Sequence, residues 1–374
     1  MEEVEVLYRV NKRVLFLFTL VLAAALVIAG CGGKTTALVG GGEEKLKVGF
    51  VYIGSPGDAG WTFAHDQGRK YLEKELPYVE VETVENVSDA DAEQVLTNLA
   101  ERGNKVIFAT SFGFMDPVIN VAAKYPDVTF LHCSGYKVAP NASNYFGRMY
   151  QARYLTGLVA GMTTESNLIG YVAAYPIPEV VRGINAFTQG VRAVNPDAKV
   201  RVVWTFTWYD PAKEKEAAIA LLDAGADVIA QHQDTPGPQQ AAQDKGKFGI
   251  GYNSDMSALA PKAVLTSAVW NWGPYYVRTV EAVRAGTWDN TPYWGPMSDG
   301  IVALAPFGPM VSEEIKQKVE EEKQRILSGE WDVFHGPVYD QAGNLKVAEG
   351  EALTDEQMLS MDWFVQGVDG TIPK

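Results

Sequence analysis

The residues equipped for chemistry in this chain are aromatic rings set among amides and carboxylates, and most fall just behind short apolar runs. Asp58, Trp61 and His65 follow "KVGFVYI", and Ser111, Phe112 and Phe114 lie in "SFGFMDP". Arg148 and Tyr150 belong to "YFGRMYQARYLTG". Farther along come Trp208-Tyr209-Asp210, then Gln231 to Asp234, then Asn253 and Asp255 in "GYNSDM", then Trp270, Asn271 and Trp272 in "VWNWG". Such a mixture suits a flat, polar heterocycle. Ring faces supply about 1–3 kcal/mol of stacking per base without directional demand. Asp, Asn and Gln read the donors and acceptors on the ring edge, because leaving them unpaired on closure costs about 1–3 kcal/mol each.

Each residue also has a plainer reading. A Trp beside a turn can plug the core of a lobe, and Trp204, Phe206 and Trp208 alternate as one strand face would. Asp58 ahead of a helix can be an N-terminal cap, and Asn253-Ser254-Asp255 a turn. Other chemistries find little support. His65, His132, His232 and His335 stand isolated and are expected to be structural or on the surface. Without a His cluster or paired Cys, no metal site is expected. There is no GxSxG elbow, no GxxxxGK[ST] and no GxGxxG opening a helix after a strand. Cys133 in "VTFLHCSG" reads as a small core residue rather than a nucleophile. The expectation is a binding protein, not an enzyme, with no cofactor.

The elements that must position these residues alternate. Strands are expected at 47–53, 105–111, 128–134, 168–174, 199–208, 227–233, 248–254 and 263–270. Helices are expected at 91–103, 183–196 and from Pro211 to about Gly225, with Pro in a first turn and Gly at a last one. Strands apolar nearly throughout and spaced by helices indicate parallel sheets covered on both faces. The pattern restarts: "KVGFVYIGSPGDAGWTFAHDQGRKYL" is answered by "LIGYVAAYPIPEVVRGINAFTQGV". Two similar α/β halves would face each other across a cleft lined by loops at strand ends. Residues 310–374 read as a charged helix, a hairpin and a polar tail.

At the N-terminus, Lys12 and Arg13 precede an uncharged apolar run from Val14 to Gly30, and "IAGC" ends on Cys31. A positive flank, a short apolar core and small residues describe an export signal, and "IAGC" resembles a bacterial lipobox, which implies lipidation of Cys31. A membrane-spanning anchor is the alternative, since the run reaches the lower limit of a spanning helix. "GGKTTALVGGGEEK" then reads as a flexible tether. The formal net charge of −14 argues against nucleic acid or an anionic membrane surface as a partner.

Taken in order from about Lys45 to Pro306, "VGFVYIGSPGDAGWTFAHDQG", "YFGRMYQARYLTGLVAG", "LIGYVAAYPIPEVVRGINAFTQGVRAVNP", "GADVIAQH", "IGYNSD" and "VLTSAVW" resemble the successive motifs of the basic membrane protein family. These are substrate-binding lipoproteins of ABC importers, related to purine nucleoside receptors. The resemblance implies an α/β fold of the type I periplasmic-binding-protein kind: two Rossmann-like lobes, three crossing strands and a ligand clamped between. The domain reading is a signal peptide at 1–30, a tether at 31–45 after lipidated Cys31, lobe 1 at 46–165 plus about 267–290, lobe 2 at 166–266 plus about 291–350, and a C-terminal extension at 351–374.

The family also implies roles. In nucleoside-binding members a Phe after an acidic turn stacks on the base; Trp61 stands there, with Asp58 at the acidic position. A second stacking Phe corresponds to Trp208 in "WYDP". Ribose-binding members usually carry Val-Asp-Ser-Asp where this chain has Tyr252-Asn253-Ser254-Asp255, and a Lys where it has Trp270. Those departures favour a free nucleobase such as adenine over a nucleoside. The expected ligand-binding set is Asp58, Trp61, Ser111, Phe112, Tyr150, Trp208, Asn253, Asp255, Trp270 and Trp272. The expected protein is a monomeric receptor, anchored at Cys31 and facing the periplasm or exterior, that serves an ABC permease with its ATPase subunit. A lipid-anchored sensor or adhesin without a permease is one alternative, and a receptor for a sugar or other small polar solute another.

Overall fold

The computed structural model describes residues 45–374. The export signal, the lipidation at Cys31 and the tether up to residue 44 lie outside the described residues. No described helix is long and apolar enough to cross a membrane.

Two sheets form the frame. The first is built from β1 (Leu46–Val51), β2 (Val79–Val84), β3 (Val106–Ala109), β4 (Thr129–Cys133) and β5 (Ala142–Gly147), all parallel, in the order β5-β4-β3-β1-β2. The second takes β6 (Leu168–Ala173), β7 (Lys199–Trp204), β8 (Val228–His232), β9 (Phe248–Asn253) and β10 (Val264–Trp270), parallel, in the order β10-β9-β8-β6-β7. β11 (Tyr293–Gly295) returns to the first sheet beside β5, and β12 (Val302–Leu304) lies antiparallel to β10 in the second. β3, β4 and β8 are buried at every position, as sheets covered on both faces require.

The helices are α1 (Trp61–Glu75), α2 (Ala92–Glu101), α3 (Met115–Ala122), α4 (Met149–Thr163), α5 (Pro178–Val194), α6 (Pro211–Asp223), α7 (Gly237–Asp244), α8 (Gly273–Ala285), α9 (Glu313–Leu327) and the short α10 (Asp355–Leu359). Pro178 and Pro211 occupy first-turn positions, where a missing N–H removes no helical bond. α4 is buried on every side from Met149 to Gly161 and packs chiefly on α5.

All eight expected strands are present, with three differences of consequence. β7 stops at Trp204, so Trp204, Phe206 and Trp208 do not alternate along one strand. The chain turns at Phe206, whose φ of 55° is left-handed. β2 and β5 were not expected, because "VEVETV" and "ASNYFG" lack the continuous apolar run of the inner strands. The lobe boundaries also move. The chain leaves the first sheet at Gly147, and α4 packs with the second lobe rather than lying in a first lobe that runs to 165. Tyr293–Gly295 likewise join the first sheet, although 291–350 is read as second-lobe sequence.

The end of the chain is not a loose polar tail. β13 (Val338–Tyr339) and β14 (Leu345–Val347) form a hairpin, and β15 (Val368–Asp369) extends the second sheet beside β7. Met358, Met361, Phe364, Val365 and Val368 are buried in the core. Asn185 on α5 holds this segment by donating to the Trp363 carbonyl and accepting from the Val365 N–H.

Candidate ligand-binding site

The carboxyl ends of the strands converge on a narrow cavity between the sheets, the position at which open α/β sheets bind ligands. From the first lobe come Ile53 behind β1, Trp61 at the start of α1, Ser111 and Phe112 behind β3, and Ser134 behind β4. From the second come Glu179 in the first turn of α5, Trp208 in the loop after β7, His232 and Asp234 at the end of β8, and Tyr252 on β9.

Trp61 is fixed before any ligand arrives. Its indole Nε1 donates to the Thr110 carbonyl at 2.7 Å, and its ring meets Trp270 and Trp272 edge-on. Asp58 sets the turn that presents it, accepting from the N–H groups of Gly60, Thr62 and Phe63 at 2.8–2.9 Å. Trp208 is held more loosely, with its ring tilted against Tyr175 at 5.2 Å and a side chain only partly buried against the core.

The polar walls sit in low dielectric. His232 Nε2 lies 3.3 Å from Glu179 Oε1, and burial pushes the imidazole down to about 4, so the ring is neutral near pH 7. Burial, and then the charges of Asp58 and Glu214, hold the Asp234 carboxyl well above the usual range, while Asn253 Nδ2 donates to its Oδ1 at 3.1 Å. Beside the cavity the lobes touch. Ser254 Oγ donates to the Ala59 carbonyl at 2.5 Å, and Gly60 lies flush against the backbone of Asp234.

Of the residues expected from sequence, Trp61, Ser111, Phe112 and Trp208 are brought together on one cavity. Asp58 stands behind Trp61 as a cap. Asn253 is fully buried and reaches the cavity only through Asp234; its Oδ1 accepts from Trp270 Nε1 at 3.1 Å. Trp270 and Trp272 stack on each other at 4.4 Å, and Trp272 stacks on His65, so both are core behind Trp61 rather than walls. Tyr150 is not on this cavity but lines a smaller space behind it, donating to Asp332 and packing on Trp294 and Phe334. Asp255 is exposed and only caps the Ser257 N–H.

Glu179, His232, Asp234 and Tyr252 line the cavity outside that expected set. The sequence signal for Glu179 was its place in "YPIPEVV", the second-half counterpart of "GSPGDAGW". His232, expected to be structural or on the surface, walls the cavity instead. Cys133 is buried, and burial pushes its thiol up, away from nucleophilic use. No cluster of His, Cys, Asp and Glu suited to a metal ion occurs among the described residues.

The sequence profile of the Bmp family, described as PnrA-like ABC transporter substrate-binding protein, matches residues 45–334. A purine-binding protein of Brucella abortus is 46% identical over 351 residues, covering 93% of this chain and 100% of that protein. A Haloferax volcanii protein whose name links it to an ABC transporter and to glucose binding is 43% identical, covering 91% of this chain and 86% of its own. Among solved structures, an ABC transporter solute-binding protein of Conexibacter woesei superposes with a TM-score of 0.63 at 25% identity, covering 77% of this chain and 98% of that one. The two-lobed architecture is the type I periplasmic-binding fold.

Proposed function

We infer that this chain, which belongs to the Bmp family of PnrA-like ABC transporter substrate-binding proteins, captures a purine-type ligand between Trp61 and Trp208. The observation that carries the reading is that indoles from opposite lobes line one cavity together with Ser111, Glu179, His232 and Asp234. Stacking supplies sequence-blind affinity for a flat ring, and the polar walls select its edge pattern. A neutral His232 and an acceptor at Glu179 give the site both donor and acceptor character. The 46% identical relative named for purine binding supports the same class.

A free nucleobase such as adenine is preferred over a nucleoside. That preference rests on Asn253, which stands where ribose-binding members carry an Asp suited to accept from sugar hydroxyls. The closed contact at Ala59, Gly60 and Ser254 fits a receptor that hinges shut and hands its cargo to a permease and ATPase. Export and anchoring at Cys31 complete the proposal, on the strength of the sequence alone. A sugar is the second reading, favoured by the Haloferax relative.

Titration calorimetry of the purified protein with adenine, guanine, adenosine and glucose tests this. A stoichiometric complex with a purine base, tighter than with adenosine, is expected. Heat with glucose and none with any purine would replace the purine reading, and conversion of the compound to product would end the receptor reading altogether.

A further inference from the structure

Behind the ligand cavity lies a second, much smaller space with room for about one water-sized group, bordered by Glu179, His232 and Tyr252, which wall both. Arg153 and Gly183 line it. Four fully buried polar atoms nearby have no hydrogen-bond partner: Arg153 Nη2 and, closest to Gly183, the three of Arg153 Nε, Tyr171 Oη and His232 Nδ1. Buried polar atoms are almost always satisfied. These three also converge. A methyl group placed on the Gly183 α-carbon would lie 3.8 Å from Arg153 Nε, 3.8 Å from Tyr171 Oη and 3.5 Å from His232 Nδ1.

Their chemistry defines what fits. Arg153 is pinned, with Nη1 donating to the Gln231 carbonyl at 2.7 Å and its guanidinium 3.7 Å above the Tyr252 ring, and its Nε–H can only donate. His232 Nε2 faces the Glu179 carboxylate, which only accepts, so the proton belongs on Nε2 and Nδ1 is left as an acceptor. Tyr171 can play either part. An occupant must therefore accept from Arg153 and donate to His232. A halide or carbonyl oxygen cannot donate, and a cation cannot accept.

We propose that the space above Gly183 is a hydroxyl subsite at the back of the cleft, filled by a hydroxyl of the bound ligand or by a buried water. The ligand arm rests on the reading of the front cavity as the capture site; the water arm does not.

Gly183→Ala tests it. The methyl meets nothing closer than 3.5 Å, so it fits. Gly183 lies inside α5, where Ala is the better helix former, so a site with no occupant predicts a higher Tm and unchanged binding. A buried water predicts the opposite, a Tm several degrees lower in the ligand-free protein, because the methyl displaces the one group satisfying three polar atoms. A ligand hydroxyl predicts an unreduced Tm with affinity for adenosine or glucose down at least about tenfold, and adenine unaffected. Tyr171→Phe adds a second measure: it lowers Tm or hydroxylated-ligand affinity if the hydroxyl is there, and changes neither if it is not. A raised Tm in Gly183→Ala with every affinity kept within about twofold overturns the subsite. If the wild-type protein binds no purine, the purine reading fails, while the Tm comparison still decides the water arm and glucose still decides the ligand arm.

Discussion

Trp61 and Trp208 line the same cavity under different constraints, and their substitution should separate binding from folding. Trp208 is only partly buried, on a loop, so Trp208→Ala should weaken adenine binding by about 1–3 kcal/mol, roughly 5- to 150-fold, with Tm little changed. Trp61→Ala should lower both, because that ring also packs on Trp270 and Trp272 and donates to Thr110. Calorimetry beside thermal unfolding reads the difference; unchanged affinity in Trp208→Ala would remove that ring from the site. Sequence reasoning located all four indoles at strand ends but could not say which way each turns. That is decided by non-local partners: Asn253 bonds Trp270 inward, and His65 receives Trp272 as a stacking face. Glu179 was hidden for the same reason, since its pairing with His232 joins residues on different elements.

At the scale of elements, the turn before α1 and the ends of β8 and β9 form the seam along which the lobes meet. A methyl on Gly60 would come within 2.0 Å of the Asp234 carbonyl oxygen, which no packing tolerates. Since the two belong to different lobes, Gly60→Ala is expected to stay folded but fail to close. Small-angle scattering should then show a larger radius of gyration with adenine present, and affinity should drop at least about tenfold. Wild-type affinity in that variant would show that capture does not need the seam. The inner strands were legible because burial on both faces leaves an unbroken apolar run. β2 escaped because its exposed positions break that run, and β5 because Ser143 and Asn144 interrupt it, Ser143 turning its hydroxyl to the Asn290 carbonyl.

For the molecule as a whole, buried imidazoles tie stability to acidity. Burial pushes His132 from 6.5 down to about 4. The unfolded chain therefore takes up that proton first, and the stabilisation present above pH 6.5 is lost as pH falls toward 4. His132→Gln, which can still donate to the Lys137 carbonyl, should remove up to roughly 3 kcal/mol of that loss, seen as a shallower decline of Tm between those pH values. A parallel decline in both proteins would refute it. Asp58, Asp234 and Glu214, all held high by burial, act in the other direction: their stabilisation is greatest in acid and wanes as pH rises through their elevated values. The overall two-lobed plan was readable from the repeated strand–turn–helix phrase. The crossing at Gly147 was not, because α4 is apolar on every side and its sequence does not say which lobe it packs with.

β15 carries one more implication. Arg201 on β7 and Asp369 on β15 are ion-paired neighbours although 168 positions separate them in the chain. A ribosome delivers residues in order, so β7 must wait with an unpaired flank while everything between is made. Bare strand flanks invite mispairing with other chains. Until its outermost ribbon arrives the second lobe stays unfinished, and a chain still unfinished is one that can be threaded through a narrow pore before it sets.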